Sequence, residues 1–118
     1  MKPPAISEEA LHRAVAEYLD VVIRPPFTWT TIAHGGGGRV RGAKLKAMGL
    51  KKGWPDLLIL GPGPTLLGIE LKTVAGRQTP EQREIEAAFH QCKAWYVLCR
   101  SVEEVARAVH FIWKREAA

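Results

Sequence analysis

The chain has 118 residues, 47% of them hydrophobic and 25% charged, and a formal net charge of +5. This length supports one core and is too short for two, so we expect a single domain over residues 1–118. The composition excludes a disordered or fibrous protein. No apolar run reaches the roughly 20 residues that cross a bilayer, and the N-terminal segment lacks the apolar stretch of a signal peptide. We therefore expect a cytoplasmic protein with no membrane partner.

The positive charge is concentrated between Asp20 and Asp56, a segment that contains no acidic residue. Outside this segment, ten Lys and Arg residues stand against twelve Asp and Glu residues. Such a basic segment suits a phosphate backbone, although a solvated basic surface without a partner has the same composition. The candidate DNA-binding residues in it are Arg39, Arg41, Lys44, Lys46, Lys51 and Lys52.

The first half of the chain predicts a helix, a strand and a second, shorter helix. Ser7 is a candidate N-cap, after which apolar residues recur every three or four positions until Pro25. The sequence FTWTTIA, residues 27–33, is rich in β-branched and aromatic residues and predicts a strand. HGGGGRVRG, residues 34–42, predicts a flexible basic loop, and residues 43–48 predict the short helix.

The middle of the chain, residues 56–72, predicts a buried hairpin with charged ends. DLLIL and TLLGIELK are apolar strands separated by GPGP, whose composition predicts a tight turn. Side chains alternate across a strand, so Glu70 and Lys72 lie on one face. A turn centred on GPGP sets Asp56 opposite residues 69–70. Two carboxylates and an ammonium group are then predicted to meet at one end of the hairpin.

The last third of the chain predicts a helix, a strand and a final helix. Thr79 is a candidate N-cap, with Pro80 at the first helical position and Gln82 as the capping-box partner. AWYVLC predicts a buried strand, after which Ser101 opens the last helix with Glu104 as its capping-box partner. The order of elements, α-β-(short α)-β-β-α-β-α, predicts an α/β fold in which helices flank a mixed sheet.

Two other patterns carry little chemistry. HGGGGRVRGAK lacks the Gly-Lys-Ser/Thr ending of a phosphate-binding P-loop. The four histidines have no paired metal-ligand spacing, so we interpret all of them as surface or packing residues: His12, His34, His90 and His110.

The charged ends of the hairpin allow two interpretations. Burying such charges costs several kcal/mol per ion unless they are compensated. A hard divalent cation compensates carboxylates well, because Mg²⁺ takes carboxylate oxygens and keeps several waters. The alternative is a salt bridge of Lys72 with Asp56 or Glu70 at a sheet edge. The spacing alone leaves both interpretations open.

A resemblance to known nucleases adds to this pattern. Pro55-Asp56, followed after a short hairpin by Glu70-Leu71-Lys72, resembles the PD-(D/E)XK signature, and the order of elements resembles the restriction-endonuclease-like core of that superfamily. The chain is more closely similar to the VRR-NUC family, in GLKKGWPD, in the IELK strand, in GRQTPEQ and in a strand followed by SVEE. This resemblance implies an αβββαβ core and metal-dependent cleavage of DNA phosphodiesters.

The same resemblance implies roles for individual residues. Asp56 and Glu70 would bind Mg²⁺ or Mn²⁺, with the backbone carbonyl of Leu71 as a further ligand. Lys72 would orient or help to deprotonate the attacking water and stabilise charge on the phosphoryl group. Gln82 resembles a supporting active-site residue, although its capping-box position explains it as well.

The family also places a glutamate on the first helix, where this chain has Glu8 and Glu9. The spacing to Leu11 and His12 favours Glu8 as the catalytic residue and as a further candidate metal ligand. The alternative is that both glutamates only complement the helix N-terminus.

The resemblance implies a structure-selective DNA endonuclease that uses Mg²⁺ or Mn²⁺ and no organic cofactor. Small standalone members of the family resemble nucleases that act as homodimers on branched DNA such as four-way (Holliday) junctions, so we expect both properties here. The alternatives are a nonspecific or nicking nuclease on duplex DNA and a noncatalytic nucleic-acid-binding module. The compact chain is also in keeping with a viral or mobile-element origin.

Overall fold

The computed structural model describes residues 6–32 and 38–117 of the chain. The strands lie side by side in the order β1-β2-β3-β4, antiparallel except for the parallel pair β3–β4. The helices are α1 (Glu8–Val22), α2 (Arg39–Ala47), α3 (Pro80–Gln91) and α4 (Val102–Ala117), and the strands are β1 (Thr28–Thr31), β2 (Leu57–Gly61), β3 (Thr65–Leu71) and β4 (Trp95–Cys99). The predicted α/β fold, a mixed sheet flanked by helices, is confirmed. No helix in these two described stretches is long and apolar enough to cross a membrane.

The hairpin of β2 and β3 has the register that its short turn predicts. Leu57 lies opposite Ile69 and Gly61 lies opposite Thr65. Asp56, which immediately precedes β2, therefore faces the position of Glu70. Because a slip of one residue would turn every side chain to the other face, this register decides which residues can meet at the end of the hairpin.

One face of the sheet, which we call the core face, is fully covered by helices. Its β2 and β3 side chains pack against α1 and α4 and are each no more than 1% exposed. Burying an aliphatic side chain of this size contributes about 1.5–3 kcal/mol relative to leaving it in water. The core face is therefore the main source of stability, and it is lined by Leu57, Ile59, Leu67, Ile69 and Leu71.

The opposite face, which we call the site face, is only half covered. α3 packs over the β3–β4 half, where a Cβ added to Gly68 would lie 2.6 Å from Cγ of Pro55 and 2.8 Å from Cε2 of Phe89. The absence of a side chain at Gly68 thus lets both residues rest on β3. On the β1–β2 half, Leu60 is 51% exposed. This uncovered part is lined by Leu58, Leu60 and Leu66, with Thr28 and Thr30 beside them.

The basic segment differs from its predicted structure. The sequence predicted a loop over residues 34–42, but α2 already begins at Arg39, and the N–H of Gly42 donates to the carbonyl oxygen of Gly38 at 2.9 Å. Residues 33–37, which the predicted loop and the predicted strand over 27–33 both include, lie outside the described residues. Gly42 costs about 1 kcal/mol relative to alanine inside a helix. The good helix formers around it offset that cost, and this is why the prediction failed.

The two predicted capping boxes have different outcomes. At α3, the N–H of Gln82 donates to Oγ1 of Thr79 at 3.1 Å, and the Gln82 side chain accepts from the Thr79 N–H at 2.8 Å, as predicted. At α4, the N–H of Glu104 donates to Oγ of Ser101 at 3.2 Å, but the Glu104 carboxylate accepts from the N–H of Arg100. The Glu104 side chain therefore bonds to the backbone N–H of Arg100, whereas the predicted capping box required the N–H of Ser101.

Candidate active site

Asp56 and Glu70 lie side by side at one end of the hairpin. Asp56 is 8% exposed and Glu70 is 2% exposed, so both carboxyl groups are nearly withdrawn from water. Oδ2 of Asp56 accepts a hydrogen bond from the N–H of Leu71 at 2.7 Å, which fixes this carboxylate against the end of β3. The hairpin register thus brings together the two acidic residues that the sequence singled out.

The pair is strongly coupled in its protonation. Burial is the largest cause that raises the pKa of Glu70 to about 9, and a hydrogen bond to Asp56 and the charge of Asp56 add to the rise. Lys72 acts in the opposite direction. Oε1 of Glu70 is buried and accepts no hydrogen bond from the described residues. Two carboxyl groups in such surroundings favour a shared proton unless a cation neutralises them.

This donor set fits a hard divalent cation. Carboxylate oxygens are the ligands that Mg²⁺ and Mn²⁺ prefer. Oε1 of Glu70, which has no hydrogen-bond partner in the described part of the chain, is one such oxygen. Within residues 6–32 and 38–117, no three His, Cys, Asp or Glu side chains are close enough to hold an ion by themselves. Further ligands would therefore be carbonyl oxygens and waters, which is usual for Mg²⁺. The carbonyl of Leu71 stays a candidate for this role.

Lys72 is held beside the two carboxyl groups by the parallel strand pair. Its N–H donates to the carbonyl oxygen of Cys99 at 3.0 Å, which extends the β3–β4 pairing by one residue. Its side chain is half-buried, and it is close enough to Glu70 to lower the pKa of that group. The turn that follows Lys72 is held by Arg100. The guanidinium of Arg100 donates to the carbonyl oxygens of Thr73 and, at 2.8 Å, of Gly76. This turn is thereby fixed next to the site.

The structure distinguishes the two glutamates of α1. The carboxylate of Glu9 accepts from the guanidinium of Arg13 at 3.2 Å on the exposed side of the helix. The charge of Glu8 instead contributes to the raised pKa of Glu70, as the smallest of its causes. Glu8 therefore lies toward the carboxyl pair and Glu9 lies away from it. Glu8 does not complete a three-carboxylate cluster with the pair.

Gln82 serves the capping box at the start of α3. Its side-chain oxygen accepts from the N–H of Thr79, so this oxygen holds the first turn of α3 in place. Gly53, with φ of 96°, packs against that turn, where a Cβ would collide with the carbonyl group of Glu81. The chain that leads into Asp56 therefore runs directly over the start of α3. A catalytic role of Gln82 stays a prediction.

The predicted DNA-binding residues are all exposed, and they precede the carboxylates along the chain. Four lie on α2, which in the described part of the chain contains no buried residue. Two more lie in the connector that leads through Gly53 to Asp56. The residues on α2 are Arg39, Arg41, Lys44 and Lys46, and those on the connector are Lys51 and Lys52.

Sequence reasoning missed Tyr96, which lies on the site face opposite Gly68. Its hydroxyl is buried without a well-oriented hydrogen-bond partner among the described residues. Burial chiefly raises the pKa of Tyr96, the charge of Glu70 adds to the rise, and Gln78 opposes it. Alternation along β4 assigns Tyr96 to a face, but only the parallel register with β3 shows that this is the face of Glu70.

The order of the strands and the placement of the helices define a class of fold. This mixed four-stranded sheet, with helices packed on both faces, matches the fold of solved structures described as VRR-NUC domain proteins. The structure thus has the fold that the sequence resemblance implied.

Two solved structures carry this comparison. One, described as a "VRR_NUC domain protein", superposes with a TM-score of 0.71 at 19% identity, over 91% of this chain and 88% of that chain. The other, described as a "VRR_NUC domain", gives a TM-score of 0.59 at 16% identity, over 87% of this chain and 94% of that chain. No protein-family profile and no curated protein matches the chain. At these identities the likeness establishes the fold, and function has to be argued from the site.

Proposed function

We propose that this chain is a DNA endonuclease that hydrolyses phosphodiester bonds with Mg²⁺ or Mn²⁺. The observation that carries the proposal is the buried pair of Asp56 and Glu70, in which Oε1 of Glu70 has no hydrogen bond from the described residues. Burying two adjacent carboxyl groups is unfavourable unless something compensates them. A divalent cation provides that compensation. The names of the structural neighbours, which contain VRR_NUC, agree with nuclease activity.

In this proposal the residues of the chain have distinct tasks. Asp56 and Glu70 hold the cation, and the Leu71 N–H keeps the Asp56 carboxylate oriented before the cation arrives. When bound, Mg²⁺ or Mn²⁺ lowers the pKa of water and offsets the negative charge that develops on the phosphate. Lys72 orients the attacking water and stabilises the phosphoryl charge. Glu8, on the side of α1 that faces the pair, accepts hydrogen bonds from water at the site.

DNA would reach this site along the basic segment. The exposed cations of α2 and of the connector form a continuous part of the chain that ends at Asp56. Contacts of Lys and Arg with phosphates position a duplex without reading its sequence. We therefore propose that these residues guide DNA, in the cytoplasm, toward the carboxylates.

We further propose that the substrate is branched DNA and that the active form is a homodimer. The six exposed cations of α2 and of the connector offer few phosphate contacts from a single copy. The uncovered half of the site face, around Leu60, is apolar, and such a patch can be self-complementary across a two-fold axis. A second copy seated there would remove Leu60 from water and place two sites on one particle, as cutting both strands of a junction requires.

The enzymatic proposal is tested with labelled four-way junction, flap and linear duplex in Mg²⁺, Mn²⁺ or EDTA. We expect cleavage in either metal, none in EDTA, and faster cleavage of the junction than of the duplex. Lys72→Ala should remove most of the activity, whereas Lys93→Ala, an exposed lysine in the turn before β4, should leave it unchanged. Absence of cleavage in both metals contradicts the enzyme. Equal rates on junction and duplex favour the nonspecific nuclease.

The homodimer is tested by size-exclusion chromatography with light scattering. We expect a dimer at micromolar concentration for the wild-type chain and a monomer for Leu60→Lys, because a charge cannot be buried in that face without a partner. Val21→Lys replaces a residue on α1 that is 68% exposed and serves as the control. A wild-type monomer, or equal behaviour of the two variants, contradicts this interface.

A further inference from the structure

A chain of hydrogen bonds joins α1 to Asp56 through the end of β1. Nε2 of His12 lies 3.0 Å from Oγ1 of Thr31. The Thr31 hydroxyl in turn donates to the backbone carbonyl oxygen of Asp56 at 3.1 Å. The N–H of Ile32 donates to the same carbonyl oxygen at 2.9 Å. The backbone carbonyl oxygen of Asp56 thus accepts two hydrogen bonds from consecutive residues, Thr31 and Ile32.

The direction of each hydrogen bond follows from the chemistry of the hydroxyl group. A threonine hydroxyl has one hydrogen, and in Thr31 this hydrogen is used toward the carbonyl oxygen of Asp56. Thr31 must therefore accept from His12, which carries a hydrogen on Nε2. Both the neutral Nε2–H tautomer and the imidazolium ion can donate from this atom.

The link connects two elements that carry candidate metal-site residues. His12 lies one helical turn after Glu8, and residues four apart occupy the same side of a helix. The His12–Thr31 bond therefore fixes the turn of α1 that carries Glu8 against the edge of the sheet. The Thr31–Asp56 bond fixes the start of β2 relative to the same edge. The Thr31 hydroxyl thus links the turn of α1 that carries Glu8 to the backbone of Asp56, in addition to the packing of α1 in the core.

We propose that His12 and Thr31 are positioning residues of the metal site, and this inference rests on the proposed function above. Neither side chain needs to contact the cation or the DNA, because both act through the Asp56 peptide group and through α1. This differs from the interpretation of His12 as a surface or packing residue. Groups that orient metal ligands typically alter metal affinity or activity by 10–100-fold when removed. Thr31 is exposed, so we expect an effect at the low end of this range.

The first experiment measures Mn²⁺ binding to the intact chain by titration calorimetry, without DNA. Thr31→Val removes the hydroxyl and keeps the shape, and we expect it to weaken Mn²⁺ binding about tenfold. Thr31→Ser keeps the hydroxyl and should bind within about twofold of the wild type. Thr30→Val is the matched control, because among the described residues the Thr30 hydroxyl donates to the carbonyl oxygen of Thr31, at 3.3 Å, and makes no bond to His12 or Asp56.

A second pair of variants tests the donor. His12→Gln can present an amide N–H near the position of Nε2 and should retain Mn²⁺ affinity, whereas His12→Leu should lose about as much as Thr31→Val. This pair also decides the matter if Thr31→Val fails to fold, which thermal melting by circular dichroism would show. In cleavage assays, kcat should fall with Thr31→Val and stay close to the wild-type value with Thr31→Ser.

The outcomes separate this inference from the proposed function. If the wild-type chain binds no Mn²⁺, the proposed metal site fails and the inference fails with it. If the wild type binds Mn²⁺ and Thr31→Val binds it as tightly as Thr30→Val does, the positioning role is wrong and the metal site stands. Equal affinities of His12→Gln and His12→Leu likewise overturn the role of His12.

Discussion

The two faces of the sheet are formed by the same strands but differ in composition and in coverage by helices. The core face is apolar, closed and fully covered by α1 and α4. In the described residues, the site face is covered by α3 on one half, and it carries Glu70, whose pKa is raised by burial and by the neighbouring Asp56. Because side chains alternate, Ile69 and Glu70 are neighbours in sequence and yet lie in opposite environments. The core face stabilises the strands that hold an unfavourable arrangement of charge on the other side.

The largest expected effect lies on the site face. Asp56→Asn and Glu70→Gln should each reduce DNA cleavage at least 100-fold, because each removes a carboxylate from the proposed metal site. Their far-UV circular dichroism should match that of the wild type. Glu84→Gln, on an exposed position of α3, is the control and should cleave normally. If Glu70→Gln cleaved DNA at more than one tenth of the wild-type rate, the proposed catalytic role of the site face would be wrong.

The second-largest expected effect is a difference between the two faces in how much a leucine contributes to the free energy of unfolding. Leu67→Ala on the core face should lower the free energy of unfolding by about 2–5 kcal/mol, since it leaves a cavity in a packed core. Leu66→Ala, the neighbouring residue on the half-covered site face, should cost less than half as much. Urea denaturation at submicromolar protein concentration measures both without a contribution from self-association. Similar losses for the two variants would show that the faces do not differ in packing.

A smaller effect follows from the protonation of Glu70. The pKa of this group is raised from 4.5 to about 9 in the folded, metal-free protein, chiefly by burial. The unfolded chain therefore loses its proton first, so stability from this group is present below about pH 4.5 and is lost as the pH rises toward 9. We expect Glu70→Gln to melt at a higher temperature than the wild type at pH 8 and at a similar temperature at pH 4.5.

Addition of Mn²⁺ at pH 8 should narrow this difference, because a cation favours the ionised carboxylate. Melting curves with and without Mn²⁺ at both pH values measure it. If the difference in metal-free melting temperature between the wild type and Glu70→Gln were the same at both pH values, the raised pKa of Glu70 would not affect stability.

The smallest effect concerns α2, which lies before the site in the chain. Replacing Arg39 and Arg41 together by alanine should weaken DNA binding and reduce the slope of log affinity against log salt by about two, because each phosphate contact contributes about one. The exposed pair Arg107 and Lys114 on α4, changed in the same way, should leave the slope unchanged. Fluorescence anisotropy in Ca²⁺ over a range of salt concentrations measures this. If the double variant of Arg39 and Arg41 had the same slope as the wild type, α2 would be a solvated basic surface that does not contact DNA.

What the sequence predicted well was local. GPGP is short, so it fixes the register of the hairpin and places Asp56 level with Glu70. The Thr79 capping box was predictable because both partners lie within one turn. Contacts between distant segments were not predictable, since nothing in the sequence gives the parallel register of β3 with β4 or the position of α1 against β1. Tyr96, Arg100 and Thr31 were missed for this reason.

Gly68 has no functional group, yet it is a point where the site is vulnerable. Gly68 has no side chain, so Pro55 packs directly against the backbone of β3. This contact fixes how close the next residue, Asp56, lies to β3. One methyl group at this position would push Pro55 outward, away from Glu70 two residues further along the strand. Gly68→Ala would then separate the two carboxyl groups of the proposed metal site while every proposed ligand atom remained in the chain.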